Sequence, residues 1–321
     1  MTATEPSAAP RRIPRGKRRV GDVVFANSAR GSGIVILAIL AGVAAFLIIQ
    51  SSDALNANVA NFFTTSSWEA NTREEPAFGI AALTFGTVLA AAIALVIATP
   101  IAVGIALFIV YYAPRRLAAL LGYLVDLLAA IPSVVYGLWG IGWLVVQLRG
   151  PFDALESTLG WIPLFAGPVS TTGRTMLSVG IVLAVMILPI ITAISRDVLK
   201  QVPQDHQEAA LALGATRWEM IRIAVLPYGR PGIIGGVMLG LGRALGETMA
   251  VAMVLSPSLV ISWFLLQSGN QTIAAHIALQ YPEATGYGVS ALIAAGLMLF
   301  AITLVVNIAA RVVIARRKEF R

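Results

Sequence analysis

The stretch GIIGGVMLGLGRALGETMAVAMVL, from Gly232 to Leu255, is apolar over almost its whole length and is long enough to cross a lipid bilayer as one helix. It nevertheless contains two ionisable residues, Arg243 and Glu247. An ionised group at the centre of a membrane helix costs on the order of several kcal/mol unless it faces a partner or a cavity. This pair is therefore the first candidate for the group that handles a solute.

Composition places the chain among polytopic membrane proteins. Of its 321 residues, 58% are hydrophobic and 12% are charged, and the mean hydropathy is +0.82. A soluble domain carries about 25% charged residues. The absence of cysteine excludes disulfides and thiolate sites, and the two distant histidines, His206 and His276, do not suggest a metal site. The sequence contains no nucleophile–base constellation that would favour an enzyme.

Six apolar runs are long enough to span a membrane, which predicts an all-α fold with six transmembrane helices. Two of these runs exceed a straight crossing, and we expect tilts or kinks there, with Pro100 and Pro132 as the candidate positions. The six predicted spans are Ser32–Gln50, Phe78–Tyr112, Leu117–Val146, Thr175–Ser195, Gly232–Leu255 and Tyr287–Ala310.

The basic residues predict the orientation of these spans. With the N-terminus in the cytoplasm, 19 of the 23 Lys and Arg residues fall on the inner side and only 3 fall in outer loops. This asymmetry predicts that both termini are cytoplasmic. It also accounts for the net charge of +7 without a nucleic-acid partner.

The predicted organisation has four parts. They are a basic cytoplasmic tail (1–30), a first transmembrane helix with an outer loop (31–77), a permease core of five transmembrane helices (78–315) and a short cytoplasmic tail (316–321). The six basic residues within Arg11–Arg19 are either an orientation signal or a site of attraction to anionic membrane lipid.

The loop QVPQDHQEAALALGATRWEMIRIAVLP, from Gln201 to Pro227, has its own helix signals. Strong helix formers follow Pro203, Gly214 offers a C-terminal stop, and Thr216 with Glu219 forms a capping box. These signals predict two short helices within 203–224, joined by an elbow at Gly214, with the second helix ending at Leu226-Pro227.

This loop resembles the EAA-x3-G-x9-I-x-LP signature of bacterial ABC importer permeases, with Ala224 departing from the preferred isoleucine. The resemblance implies a type I, MetI-like permease fold. It also implies that Glu208, Ala209, Ala210 and Gly214 couple to a cytoplasmic ATP-binding subunit dimer. The chain contains no phosphate-binding G-x-x-x-x-G-K-[ST] loop. ATP and Mg are therefore expected in the partner ATPase, and no cofactor is expected in this chain.

The runs GLGRALGETMAV (240–251) and AAIPSVVYGLWG (129–140) resemble the PstC-type permeases of the high-affinity phosphate importer. The resemblance implies that Arg243 and Glu247 act in phosphate passage, and Thr248 beside them joins the predicted translocation site. The residues that follow Glu247 favour the C-type subunit. A homologous A-type permease, forming a heterodimer, and an extracytoplasmic phosphate-binding protein are the implied partners.

Physical reasoning about the charged pair leaves two interpretations open. Residues four apart share one face of a helix, so both groups can face one conduit. The planar fork of Arg243 matches two phosphate oxygens, and an ionised Glu247 can accept a hydrogen bond from the proton that phosphate carries while repelling sulfate. In the alternative, Arg243 and Glu247 neutralise each other and lock helix packing.

Two further polar residues and a set of glycines complete the predictions. Asp126 either pairs with a buried donor or contacts the solute, and Ser133 either binds the anion or caps the backbone freed by Pro132. Two G-x-x-x-G motifs, Gly236/Gly240 and Gly242/Gly246, predict close helix contacts with the partner permease or within the chain.

The leading function is thus the permease of an ATP-driven phosphate importer. Permeases for sulfate, molybdate or phosphonate are the nearest alternatives. An ion-coupled secondary transporter would leave the cytoplasmic loop without a purpose, and a membrane scaffold or membrane enzyme is the third class.

Overall fold

The computed structural model describes residues 20–72 and 74–316. Two short strands, β1 (Trp68–Glu69) and β2 (Ala77–Phe78), pair antiparallel. The predicted terminal tails lie largely outside the described residues, although the first helix already begins at Val20. The twelve α-helices of the described chain are α1 (Val20–Ala57), α2 (Ala81–Leu107), α3 (Arg115–Ala129), α4 (Ser133–Trp139), α5 (Val145–Leu159), α6 (Met176–Lys200), α7 (Gln204–Ala212), α8 (Arg217–Met220), α9 (Leu226–Leu245), α10 (Met249–Val254), α11 (Ile273–Gln280) and α12 (Gly288–Arg316).

Five helical stretches of the described chain are long and apolar enough to cross a membrane. A sixth crossing exists if the bent pair Arg115–Ala129 and Ser133–Leu159 counts as one span. With this bent pair taken as one span, the prediction of an all-α protein with six membrane crossings is confirmed. The five are Gly21–Ala57, Ala81–Tyr112, Met176–Lys200, Arg217–Leu245 and Gly288–Val312.

Residues 20–46 form a unit of their own, which is the first part of α1. Apolar side chains on this stretch, including Phe25, Ile34 and Leu37, are exposed. A helix that presents apolar groups all round is suited to lipid rather than to water.

The centre of the second unit, which begins at Leu47, is the packing of α2 against α6. A row of small buried residues lets the two backbones approach closely, which is how membrane helices gain dispersion energy. The row on α2 consists of Ala90, Ala91, Ala94, Ala98, Ala102 and Ala106. Pro100 does not end α2, which continues to Leu107.

The third predicted span is sharply bent at Pro132. The helices on either side of Ile131-Pro132 meet at 92°. Pro132 precedes the first residue of α4, where its missing N–H removes no helical hydrogen bond. The hydroxyl of Tyr136 donates to the carbonyl of Leu128 at 2.9 Å, which ties the two arms together.

Three glycines of α9 face α6 and permit close packing. A Cβ at Gly232 would lie 2.5 Å from Cγ2 of Val198, and one at Gly240 would lie 2.9 Å from Cγ1 of Ile191. Gly236 similarly faces Ile194. The Gly236/Gly240 motif therefore serves packing within the chain.

The second motif, Gly242/Gly246, does not serve this packing. A Cβ at Gly242 would meet nothing within 4 Å, and one at Gly246 would meet only the carbonyl oxygen of Gly242, at 3.6 Å. The described chain therefore shows no close helix contact at this pair, and the alternative, contact with the partner permease, stays a prediction.

The segment between α10 and α12 packs against the start of α2 and carries α11. The backbone N–H of Ile273 donates to Oγ1 of Thr87 at 2.9 Å. His276 is buried with its ring edge-on to Trp68, at a centroid distance of 4.6 Å. Burial lowers the pKa of His276 to about 4, so the ring is neutral at pH 7 and packs as part of the core.

The glycine face of α9 generates a prediction about stability. Replacing Gly232 with alanine should lower stability by about 1–3 kcal/mol, because the new methyl group overlaps Val198 of α6. Gly235→Ala is the matched control on the same helix, since its Cβ meets nothing within 4 Å and alanine favours helix. Thermal unfolding in detergent, followed by circular dichroism, measures both variants. Equal midpoints for the two variants would contradict the assignment of this face.

Candidate functional site: a broken membrane helix beside a basic cavity

The fifth predicted span is broken at its charged residues. α9 ends at Leu245 and α10 begins at Met249, so Arg243 and Glu247 do not share one helix. The prediction that they lie on one helical face is therefore wrong. The physical reason is that Gly246 ends the last turn of α9, and Glu247 and Thr248 lie outside both helices, before α10 begins.

Glu247 caps the N-terminus of α10. Its Oε1 accepts a hydrogen bond from the backbone N–H of Ala250 at 3.1 Å, and its side chain is buried, with 8% of the residue exposed. Thr248 donates from its hydroxyl to the carbonyl of Gly246 at 3.2 Å. A carboxylate at a helix N-terminus satisfies a free N–H and interacts favourably with the helix dipole.

The other end of α10 carries an arginine. Arg174, which precedes α6, donates to the carbonyl oxygens of Met253, Val254 and Leu255 at 3.1, 3.2 and 2.8 Å. These are the carbonyls that a helix leaves unpaired at its C-terminus. The short helix α10 is therefore fixed by a negative group at its start and a positive group at its end.

Arg243 lies in the last turn of α9, where a cation is favoured by the helix dipole. It lines a cavity of about 680 Å³, and its Nε is buried without a hydrogen-bond partner. Within the described residues, the ion pairs closer than 4.0 Å all involve Arg196, so Arg243 and Glu247 are not paired. The interpretation in which the two groups neutralise each other does not fit this geometry.

The cavity is basic and otherwise apolar. Arg311 and Asn307 of α12 line it together with Arg243, and none of the described residues that line it carries a carboxylate. The remaining lining residues are Ile190, Gly235, Met238, Leu239, Gly242 and Ala310. Such a wall offers positive charge and hydrogen-bond donors in a setting of reduced dielectric, which is suited to an anion.

Asp126 lies apart from this cavity and pairs with Arg196. The guanidinium contacts both carboxylate oxygens, at 3.2 and 3.3 Å, and also donates to the carbonyl of Gly122 at 3.1 Å. Asp197 accepts from Nε of the same arginine at 3.0 Å. The pair joins α3 to α6, so the geometry matches the interpretation of Asp126 as the partner of a buried donor.

Ser133 is the first residue of α4 and half-buried. It does not line the basic cavity. Its role as an anion ligand therefore stays a prediction.

The loop Gln201–Pro227 forms the two predicted helices, α7 and α8. Gly214 adopts a positive φ of 87° at the elbow, and Thr216 and Glu219 form the capping box. The predicted end at Leu226-Pro227 is wrong, since α8 continues through a π-helical turn, Ile221–Val225, into α9. Pro227 is accommodated because it falls in the first turn of α9.

The residues of the EAA signature face two directions. Ala210 is buried and packs with Ile221 and Val225, whereas Glu208 and Ala209 are exposed. Leu213, at the end of α7, is 91% exposed, and Trp218 and Ile223 are also exposed. The loop is thus anchored to the core on one side and presents an apolar and acidic surface on the other.

Sequence reasoning missed four residues of these sites: Arg174, Arg196, Asn307 and Arg311. Arg174 and Arg196 lie just outside the predicted spans, where they contribute to the inner and outer totals of Lys and Arg but give no sign of a site. Asn307 is a polar residue inside the otherwise apolar sixth span, which was a usable signal.

Comparisons with known proteins agree with this architecture. The family described as "Binding-protein-dependent transport system inner membrane component" matches residues 98–319. The chain is 47% identical to "Phosphate transport system permease protein PstC 2" of Mycobacterium tuberculosis, over 97% of each chain. It is 42% identical to "Phosphate transport system permease protein PstC" of Mesorhizobium japonicum, over 92% of this chain and 90% of the relative.

A solved structure gives the same fold at low identity. The inward-facing MetNI methionine ABC transporter matches with a TM-score of 0.51 and 15% identity, over 73% of this chain and 95% of that one. This likeness bears on the fold alone. On the family match and the two relatives, the chain belongs to the binding-protein-dependent transport system inner membrane components, and within them to the PstC-type permeases.

Proposed function

We propose that this chain is the transmembrane permease subunit of an ATP-driven phosphate importer and that the anion passes through the cavity beside Arg243. The observation that carries the proposal is the guanidinium of Arg243 at the break between α9 and α10, which has no ion-pair partner among the described residues and a buried Nε without a hydrogen bond. The names of the relatives as phosphate transport permeases support phosphate as the anion.

Arginine suits this task for a physical reason. It remains charged at any accessible pH, and its planar fork donates two parallel hydrogen bonds to an oxyanion. A phosphate ion that leaves water needs donors and positive charge to replace its hydration shell. Arg243 provides both without first breaking an ion pair to Glu247.

Glu247 acts in this proposal first through the backbone. By capping α10 it fixes the break that places Arg243 in the last turn of α9. Its second proposed role is to accept a hydrogen bond from the protonated oxygen of phosphate and to repel sulfate, which has no such proton. Only Oε1 is engaged by Ala250, so the carboxylate keeps a free acceptor within the described chain, but Glu247 does not line the cavity and this role requires it to reach an anion there.

The exposed surface of α7 is the proposed contact with a separate ATP-binding subunit dimer, which holds ATP and Mg. Glu208 and Ala209 face outward there, while Ala210 anchors the helix to the core. Because α8 continues into α9, movement of the loop is transmitted along one helical path towards Arg243.

The remaining parts of the proposal concern assembly and topology. A homologous A-type permease completes the membrane unit, and an extracytoplasmic phosphate-binding protein delivers the anion. Both termini are cytoplasmic in this arrangement, as the distribution of Lys and Arg predicts. Sulfate, molybdate and phosphonate offer similar oxygens to Arg243, so the choice of phosphate among them depends on the relatives' names.

Replacing Arg243 with glutamine tests the path directly. We expect phosphate uptake by the assembled complex, with its binding protein and ATP, to fall at least about tenfold, because charge-assisted hydrogen bonds to the anion are lost. Arg243→Lys keeps the charge without the planar fork, so its phosphate uptake should lie between that of the wild type and that of Arg243→Gln. Radiolabelled phosphate uptake into vesicles measures the effect. An assembled Arg243→Gln complex with normal uptake would leave Arg243 only a structural role.

Gly214 tests coupling to the ATPase. Its positive φ strains any β-branched residue, so Gly214→Val should misplace α7 and reduce co-purification of the ATP-binding subunit and phosphate uptake together. Gly214→Asn is the matched control, because asparagine tolerates this conformation and a Cβ at this position meets nothing within 4 Å. Normal capture of the ATPase by the valine variant would argue against the elbow as the coupling element.

A further inference from the structure

We infer that α12 supplies a second anion-binding position, formed by Asn307 and Arg311, in the same cavity as Arg243. The inference rests on the proposed function, because it assigns the next contact of the same transported oxyanion. Both residues line the cavity with Arg243.

The position of this pair along the path follows from the helices. The cavity is lined from Gly235 to Arg243 on α9, a distance of about 12 Å at the rise of an α-helix. Arg243 lies at the end of that stretch nearest the break. Asn307 and Arg311 are one helical turn apart on α12 and so lie on one face.

Arg311 lies towards the side of the membrane that carries the coupling loop. α9 begins directly after that loop, and successive spans cross in opposite directions, so α12 ends on the side where α9 begins. Arg311 is near the end of α12, which runs to Arg316. An anion that leaves Arg243 towards the coupling loop therefore meets Asn307 and Arg311.

The glycines of α9 support a cavity that is kept open. One face of α9 lies against α6 and has no room for a side chain at Gly232, Gly236 or Gly240. The cavity is lined instead by Gly235 and Gly242, which have open space beside them. A Cβ at Gly235 or Gly242 would project into that space and meet nothing within 4 Å. Their lack of a side chain widens the cavity between the two arginines.

The second position offers groups that suit a hydrated or partly dehydrated phosphate ion. Arg311 supplies a second fixed positive charge, and the carboxamide of Asn307 supplies a neutral donor. Two cations within one cavity match a divalent oxyanion better than one. Two positions in series, each binding weakly, also let the anion leave Arg243, whereas a single site that binds tightly would retain it.

The test compares variants in the complete complex, reconstituted in vesicles of phosphatidylcholine alone and in vesicles that also contain an anionic lipid. Arg311→Gln should lower ATP-driven phosphate uptake at least about tenfold in both, with Arg311→Lys retaining more activity. Arg230→Gln is the control, since Arg230 is another arginine of the described chain and lines a different cavity, beside Thr99 and Val103 of α2. It should leave uptake unchanged.

Asn307→Asp keeps the proposal testable if Arg311→Gln fails to assemble. The carboxylate of Asn307→Asp should repel the anion, so uptake should be several-fold lower in this variant than in Asn307→Ser. Both substitutions are small and polar, so the comparison isolates the effect of the negative charge. Equal uptake for these two variants would overturn the inference. Co-purification of the partner subunits monitors assembly for each variant.

The outcomes distinguish this inference from the proposed function. Loss of uptake in Arg243→Gln with normal uptake in Arg311→Gln would overturn the second position and leave the phosphate path in place. Normal uptake in both variants would overturn both. An Arg311→Gln defect seen only in vesicles with anionic lipid would assign Arg311 to a lipid headgroup instead and would also overturn the inference.

Discussion

The structure depends on one constraint, which is that the guanidinium of Arg243, without an ion-pair partner in the described part of the chain, must be held within an otherwise apolar span. Such a charge on a continuous, lipid-facing helix is unfavourable. Here α9 stops two residues after Arg243, so the cation lies in a last turn whose carbonyl dipoles favour it, and its head faces a cavity. Glu247 and Arg174 occupy the dipole-favoured ends of α10 in the same manner. Each charge is therefore stabilised by a helix end, and the arginine stays available to a solute.

The helix α9 joins this site to the rest of the fold because its two faces differ. One face has glycines at every fourth position and packs against α6, which in turn packs closely against the small residues of α2. The other face has glycines that meet no neighbour and borders the basic cavity. Since α9 is also continuous through α8 with the loop that carries α7, a rigid contact with α6 and a direct connection to this loop occur on one element.

Much of the fold was predictable from the sequence, because hydropathy and the distribution of charge act over whole spans. The bend at Pro132, the elbow at Gly214 and the Thr216–Glu219 capping box each follow from a local backbone preference. The break at Gly246 was not predicted, since an apolar run of sufficient length looks the same whether it is one helix or two. The sequence also pointed to Arg243, as an isolated cation in an apolar span, but not to Arg311 or Arg196. Their roles depend on which helices become neighbours, and that is a tertiary property that spacing along the chain does not contain.

The most direct measurement of the central claim uses the fact that the chain has no cysteine. Arg243→Cys introduces one thiol, and an aminoethyl methanethiosulfonate reagent adds a positive charge to it in the assembled complex. If the side chain faces the anion path, labelling is rapid, phosphate slows it, and the attached amine restores part of the lost uptake. Ala244→Cys, at a buried neighbouring position, should not be labelled. If position 243 is labelled neither in the resting complex nor in the ATP-driven complex, the account is contradicted.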